Sequence, residues 1–241
     1  RPSMVILTPK PMTILLAIDT ASPKCAVALL HKNGCSIRES AEHRQAAQQV
    51  LPMINTLLKE SGIGLQELDV IGVNAGPGSF TGLRIGVAAA QGLSLANALP
   101  VVPVSSLAIM ARAAAQQAPG DYYLVADKAR ENEVYFAVYQ SCDDGDVVLL
   151  GREQVTAPGS IAFDDVASLG NSDCIGIGNG WIYREQIESA LNLAVRSCLM
   201  DTDVRLEELC ALARIRHMKG EHVLDEQVLP NYVKEQLDYS S

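Results

Sequence analysis

A glycine-rich loop, Gly76-Pro77-Gly78-Ser79-Phe80-Thr81-Gly82, follows an apolar run and opens a segment of unusually small side chains reaching to about Leu99. Gly82, Gly86 and Ala90 recur every four residues in that segment, with Ala88, Ala89, Gly92 and Ala96 close by. Leu83, Ile85, Val87, Leu93 and Leu95 spread apolar surface around nearly the whole circumference. Each glycine weakens a helix by ~1 kcal/mol relative to alanine, so the small residues point to close packing on another element. A helix that is apolar all round is covered on more than one side. One cover is a sheet; the other is either a neighbouring helix of the same chain or a second subunit. The loop itself lacks the lysine of a phosphate-binding P-loop and the glycine spacing of the dinucleotide fingerprint. A tight turn that lets strand, loop and helix approach closely accounts for it, and anion binding at the helix N-terminus remains the alternative.

The flanking segments supply the sheet. Ile14 to Asp19 reads as a buried strand, Cys25 to His31 as a second, and Asn33-Gly34 turns into a third ending near Ser40. Asn-Gly between apolar runs is a strong hairpin signal because both residues accept positive φ. A helix is predicted from His43 to Ser61, with Pro52 inside it, then a strand at Asp69–Asn74 and another at Val101–Val104. Ser105 or Ser106 caps a helix running to Gln117. After Pro119-Gly120 a second set follows: strands at Tyr122–Asp127, Glu133–Gln140, Val147–Glu153 and Asp173–Ile177. Helices are predicted at Ile161–Ser168, Trp181–Leu191 and Leu206–Met218. The order predicts two α/β halves: residues 12–105, a smaller second domain at 106–222, and a C-terminal tail at 223–241 returning to the first. Residues 1–11, with three prolines, read as an extension outside the fold, upstream of a start at Met12.

The chain has 19 Lys plus Arg against 28 Asp plus Glu, a net charge of -9 that argues against holding nucleic acid directly. No apolar run reaches the ~18–20 residues of a membrane span. The six cysteines never approach C-x-x-C spacing and read as reduced, mostly buried thiols of a cytoplasmic protein. The four histidines, His31, His43, His217 and His222, form no His-x-x-x-His pair, so no metal site is expected. Asp127, Arg130 and Glu133 read as a salt-bridged hairpin turn.

Four motifs occur together: Ala17-Ile18-Asp19-Thr20-Ala21, the run Gly76 to Gly86, Glu133-Val134-Tyr135, and Pro230-x-Tyr232-x-Lys234. In this order and spacing the chain resembles the bacterial TsaB (YeaZ-like) family of tRNA threonylcarbamoyladenosine biosynthesis. The resemblance implies two actin-like (ASKHA, ribonuclease H-like) domains with mixed sheets flanked by helices. It implies a non-catalytic subunit that pairs with and activates the catalytic paralogue TsaD, which modifies adenosine 37 of tRNAs reading ANN codons. TsaE, an ATPase, joins them, and TsaC acts upstream. The pairing surface implied is the helix pair at about His43–Ser61 and Thr81–Ala98, with Ala47, Val50, Leu51, Ile54, Leu58, Gly82, Leu83, Gly86, Val87 and Ala90 as candidate interface residues. The same face makes a homodimer when TsaD is absent. No catalytic residue, metal or cofactor is expected in this chain, and ATP or ADP would sit, if anywhere, at the interface of the complex. Asp19, Thr20, Gly178 and Asn179 are expected to be the remnant of a ligand cleft. The alternative is an actin-like enzyme, a small-molecule kinase or metallopeptidase, with its own ligand site.

Overall fold

The computed structural model describes residues 13–40, 45–130, 132–170, 172–224 and 227–233. The upstream extension, His43 and Lys234 lie outside them.

β1 (Leu15–Asp19), β2 (Ala26–His31) and β3 (Gly34–Glu39) form the antiparallel meander anticipated from Asn33-Gly34, with Gly34 at φ +119°. β4 (Val70–Gly76) and β5 (Val101–Ser105) then add in parallel, giving the order β3-β2-β1-β4-β5. The second sheet repeats this design. β6 (Tyr122–Lys128), β7 (Val134–Ser141) and β8 (Val147–Thr156) are antiparallel, and β9 (Cys174–Ile177) and β10 (Ser197–Leu199) join in parallel, in the order β8-β7-β6-β9-β10. Two mixed five-stranded sheets of this order, flanked by helices, are the ribonuclease H-like units of an actin-like fold.

Helices α1 (Ala46–Ser61) and α2 (Phe80–Asn97) lie side by side on one face of the first sheet. Their cluster joins Val50, Ile54, Leu57, Val87 and Ala90 to Leu16, Ile18, Ile71 and Val73. The apolar stripe of α1 is amphipathic in the usual way, buried at 3–4 spacing and stopped by Gly62 in a left-handed cap. Helix α3 (Ser106–Gln117) starts where Ser105 Oγ accepts the Leu107 N–H at 3.1 Å. α4 (Val166–Leu169) and α5 (Arg184–Leu191) are short, and α6 (Leu206–Met218) ends the second set.

The packing crosses over. α3 follows the first sheet in sequence yet lies mainly on the second, whereas α6 follows the second sheet and packs on β1, β2, β4 and β5 of the first. Gly72 of β4 makes room for it, since a Cβ there would meet Ala213 Cβ at 2.7 Å. α6 thus covers strands of the first sheet although it follows the second in sequence. α3 and α6 meet in one core, with Leu107, Met110 and Ala114 against Leu209, Leu212 and Ala213. The Arg112–Glu208 ion pair lies at its edge, and Lys219 reaches Asp146 in the β7–β8 turn at 2.8 Å.

The tail returns to the first unit. Val223 forms an antiparallel bridge with Val101 on the edge strand, Val228 is fully buried, and Asn231 N–H donates to Ala75 O at 2.7 Å. Some local expectations shift. The segment predicted as a helix from Trp181 begins instead as a 3-10 turn at Asn179–Tyr183, and the predicted Ile161–Ser168 helix shrinks to four residues.

Candidate functional site

Two features bear on function: the cleft between the sheets and the outer face of α1 and α2. The cleft, about 620 Å³, is lined among others by Asp19, Ser22, Lys24, Asp127, Asn179 and Asp203. Asp19 ends β1 fully buried. Its Oδ1 accepts N–H bonds from Ala21 (2.9 Å) and Ser22 (3.1 Å) and from Asn74 Nδ2 (3.0 Å), while Ser22 Oγ donates to Oδ2 at 2.6 Å. Burial raises its pKa; the hydrogen bonds from Ser22, Ala21 and Asn74 oppose the rise. The two loop amides that could face a phosphate are thus turned inward onto the chain's own carboxylate.

The glycine-rich loop is occupied in the same way. Ser79 N–H donates to Ala21 O at 2.9 Å, and a Cβ on Gly78 would lie 2.8 Å from that same carbonyl. Thr20 Oγ1 donates to Gly82 O at 2.6 Å. At the start of α2, Ser79 Oγ accepts the Gly82 N–H at 3.3 Å. The loop therefore serves as a close-packed turn.

Across the cleft, the glycines around Gly178 and Asn179 also answer to packing. Gly178 has φ +94°, and a Cβ on it would meet Ala126 O at 2.6 Å; Gly180 faces the same oxygen at 2.7 Å. Gly176 lies beneath the Trp181 indole, whose Nε1 donates to Leu124 O at 2.8 Å. Asn179 Oδ1 accepts the Lys128 N–H at 2.8 Å. Of the four residues expected at a ligand cleft, Asp19 and Asn179 line this one, Thr20 lines a separate pocket beside the start of α2, and Gly178 lines neither. Asp127, read from sequence as part of an ion-paired turn, lines the cleft instead. Burial, with the charge of Asp203 second, pushes its carboxyl up to about 6. Asp203 was missed because it lies in an irregular stretch after β10 with no periodic signal.

The helix face needs a larger correction. Gly82, Leu83, Gly86, Val87 and Ala90, expected at a subunit interface, are buried within this chain. A Cβ on Gly82 would overlap the Thr20 carbonyl, and one on Gly86 would overlap Thr20 Oγ1. The stripe exists to bring α2 against the end of β1. Val50, Ile54 and Leu58 of α1 are likewise buried, whereas Ala47 and Leu51 are exposed. The outer face of α2 is a different stripe: Ala88, Gly92, Leu95 and Ala96, at i, i+4, i+7 and i+8. Leu95 is 74% exposed and Leu51 is 53% exposed, and a Cβ on Gly92 would meet nothing within 4 Å. Beside it a shallow groove of about 570 Å³ opens between the helices, lined by Leu51, Ile54, Leu58, Ile63, Leu65 and Leu93.

The tail motif borders the same face. Arg84 lies 3.9 Å over the Phe80 ring and donates from Nε to the Tyr232 hydroxyl at 3.0 Å, and the Phe80 and Tyr232 rings are 5.4 Å apart. One residue earlier, Asn231 Nδ2 donates to Glu153 of β8, which also accepts from Ser105 Oγ and the Tyr139 hydroxyl. The His217 and His222 rings lie with centroids 5.1 Å apart, tilted at 44° to one another.

Comparison with known proteins decides the family. A protein of Haemophilus influenzae described as "tRNA threonylcarbamoyladenosine biosynthesis protein TsaB" is 30% identical, aligned over 93% of this chain and 95% of its own. The protein of the same description from Escherichia coli is 33% identical, over 91% and 94%. The chain belongs to the TsaB (YeaZ) family. A solved structure described as YeaZ from Pseudomonas aeruginosa, 36% identical, superposes with a TM-score of 0.80 over 92% of this chain and 100% of that one. The family model described as "TsaD: tRNA N6-adenosine threonylcarbamoyltransferase" matches residues 37–177, so TsaB and TsaD sequences share this stretch of fold. Among the described residues, no helix is long and apolar enough to cross a membrane.

Proposed function

We propose that this TsaB-family chain is a non-catalytic subunit of the complex that forms N6-threonylcarbamoyladenosine at position 37 of tRNAs reading ANN codons. In this reading it acts in the cytoplasm by pairing with the catalytic TsaD and activating it. TsaE engages the assembled pair and TsaC supplies the activated group. Contact with tRNA falls to the partners, in keeping with the net charge of -9.

One observation carries the reading: the loop amides at the end of β1 are spent on Asp19, while the outer face of α2 is left apolar and uncovered. An actin-like kinase needs those amides for phosphate, so the enzyme alternative has no comparable support. The proposed pairing surface is Ala47, Leu51, Ala88, Gly92, Leu95 and Ala96, and it also joins two copies of this chain when TsaD is absent. Any ATP or ADP in the complex would lie at the interface with the partner.

The test is copurification with TsaD, followed by a modification assay with and without this chain. Modification that proceeds equally well without it would overturn the proposal. So would ATP turnover by the isolated chain that is lost in a folded Asp127→Asn variant.

A further inference from the structure

Asn231 of the tail holds both units at once. Its backbone N–H donates to Ala75 O near the end of β4 at 2.7 Å, and its side-chain Nδ2 donates to Glu153 Oε2 on β8. Of residues 227–233 only Val228 is buried, so the stretch that presents Asn231 is held by a few discrete contacts. Val228 packs into the α1–α2 cluster, Gln91 Nε2 donates to Val228 O at 2.9 Å, and Arg84 Nε donates to the Tyr232 hydroxyl at 3.0 Å. Gln91 and Arg84 stand two turns of α2 apart, a rise of ~10 Å that the chain from Val228 to Tyr232 readily spans. These contacts seat the tail on the first unit; the Asn231 side chain reaches the second.

Glu153 is the receiving end. Its Oε1 accepts from Ser105 Oγ and the Tyr139 hydroxyl, and its Oε2 accepts from Asn231. An ionised carboxylate only accepts, so it can gather three donors that no amide could satisfy together. Ser105 ends β5, and the next residue opens α3, which lies mainly on the second sheet. Ser106 donates from Oγ to Pro77 O and lines the cleft between the sheets. Ser105 instead lines a second cavity of about 400 Å³, together with Tyr139, Glu153 and Asn231. The two cavities share no lining residue; on β7, Tyr135 borders the first and Tyr139, four residues or ~13 Å further along, borders the second. The crossing at Ser105 and Ser106 therefore stands between the cleft and the Asn231–Glu153 contact, as a pivot stands between a jaw and its catch.

We propose that the tail is a strap and the Asn231–Glu153 contact its latch, fixing the angle between the two units about the Ser105–Ser106 crossing and with it the width of the cleft. With the latch made, α2, the tail and β8 move as one body. With the latch broken, Ala75, Gln91 and Arg84 keep the tail on the first unit, and β8 is released from it. The α3–α6 core still joins the units, so they rock rather than separate. The cleft walls at residues 21–24 and 127–129 then move against each other.

Hydrogen exchange of the full chain, read by mass spectrometry, tests the latch in four variants. Asn231→Asp sets carboxylate against carboxylate, and Asn231→Ala removes the donor with no new charge. In both, peptides covering residues 21–24 and 127–129 should exchange about tenfold faster than in the wild type. Combining Asn231→Asp with Glu153→Gln moves the donor to β8 and the acceptor to the tail without changing either side chain's shape. The remaining amide oxygen still faces Ser105 and Tyr139, so exchange at the cleft should return to within about twofold of wild type. Tyr139→Phe takes a different donor from the same carboxylate and leaves the strap intact, so the cleft peptides should keep wild-type rates. Faster exchange confined to residues 227–233 and 147–156 in both single variants at Asn231 would overturn the proposal, as would a combined variant no slower than Asn231→Asp alone.

Discussion

Replacing glycines of α2 one at a time tests whether the small-residue stripe packs on this chain or on another. At Gly92, where a Cβ meets open space, alanine should stabilise by up to ~1 kcal/mol through helix propensity alone. At Gly82 the same methyl overlaps the Thr20 carbonyl, a backbone atom that cannot rotate away. Forced contacts in a packed interior cost ~1–3 kcal/mol, and this one belongs at the upper end. Set against at most ~1 kcal/mol of propensity gain, Gly82→Ala should lose about 2 kcal/mol, leaving about 3 kcal/mol between the two variants. For a chain of this size that corresponds to roughly 6–12 °C in Tm. Urea denaturation followed by circular dichroism, at one fixed protein concentration, separates the midpoints; with a slope of about 2 kcal/mol/M the gap is about 1.5 M. If Gly82→Ala matched or exceeded the wild type, the stripe would not be packed against β1, and the assignment of α2's two faces would be reversed.

The outward face gives a complementary expectation: Ala88→Arg or Leu95→Arg should convert a dimer to monomer in light scattering without lowering the monomer's Tm, whereas Gly86→Leu should unfold it. Asp127 offers a pH test. Its carboxyl titrates near 6 in the fold against an ordinary value of 3.8, so the folded state binds the extra proton between those values and stability falls as pH rises through that window. The penalty is complete above about 6 and is at most ~3 kcal/mol, so Asp127→Asn should raise Tm at pH 7.5 and leave it unchanged below about pH 4. Asn231→Ala removes one donor to Glu153; a loss of ~1 kcal/mol and faster amide exchange near Ala75 are expected, the exchange being readable by mass spectrometry.

Much of this fold is legible where the signal is local. Asn33-Gly34 fixes a hairpin because both residues accept its backbone angles, Ser105 caps α3 as its hydroxyl suggests, and Leu206–Met218 is the helix its periodicity describes. β10 escapes notice because three residues, Ser197–Leu199, paired in parallel at a sheet edge, carry no alternation of their own. The stripe of Gly82, Gly86 and Ala90 shows a different limit. Spacing reports that something approaches closely, but not whose atom it is; here it is Thr20, more than sixty residues away by numbering. Asp19 likewise reads as a strand-end acid facing a crevice, and only the positions of Ala21, Ser22 and Asn74 show that its lone pairs are taken.

The exchange of α3 and α6 between the sheets has a consequence for biogenesis. The strands of the first sheet are complete by Ser105, yet the helix that shields one of its faces is translated a hundred residues later, at Leu206–Met218. On the ribosome that face, including Leu15, Ala17, Ala28 and Val70, stays bare through synthesis of the whole second sheet. At ~5–20 residues per second the exposure lasts roughly 5–20 s, long enough for a chaperone to bind it. A chain truncated after the first unit would lack α6 and keep bare the surface that α6 covers on β1, β2, β4 and β5.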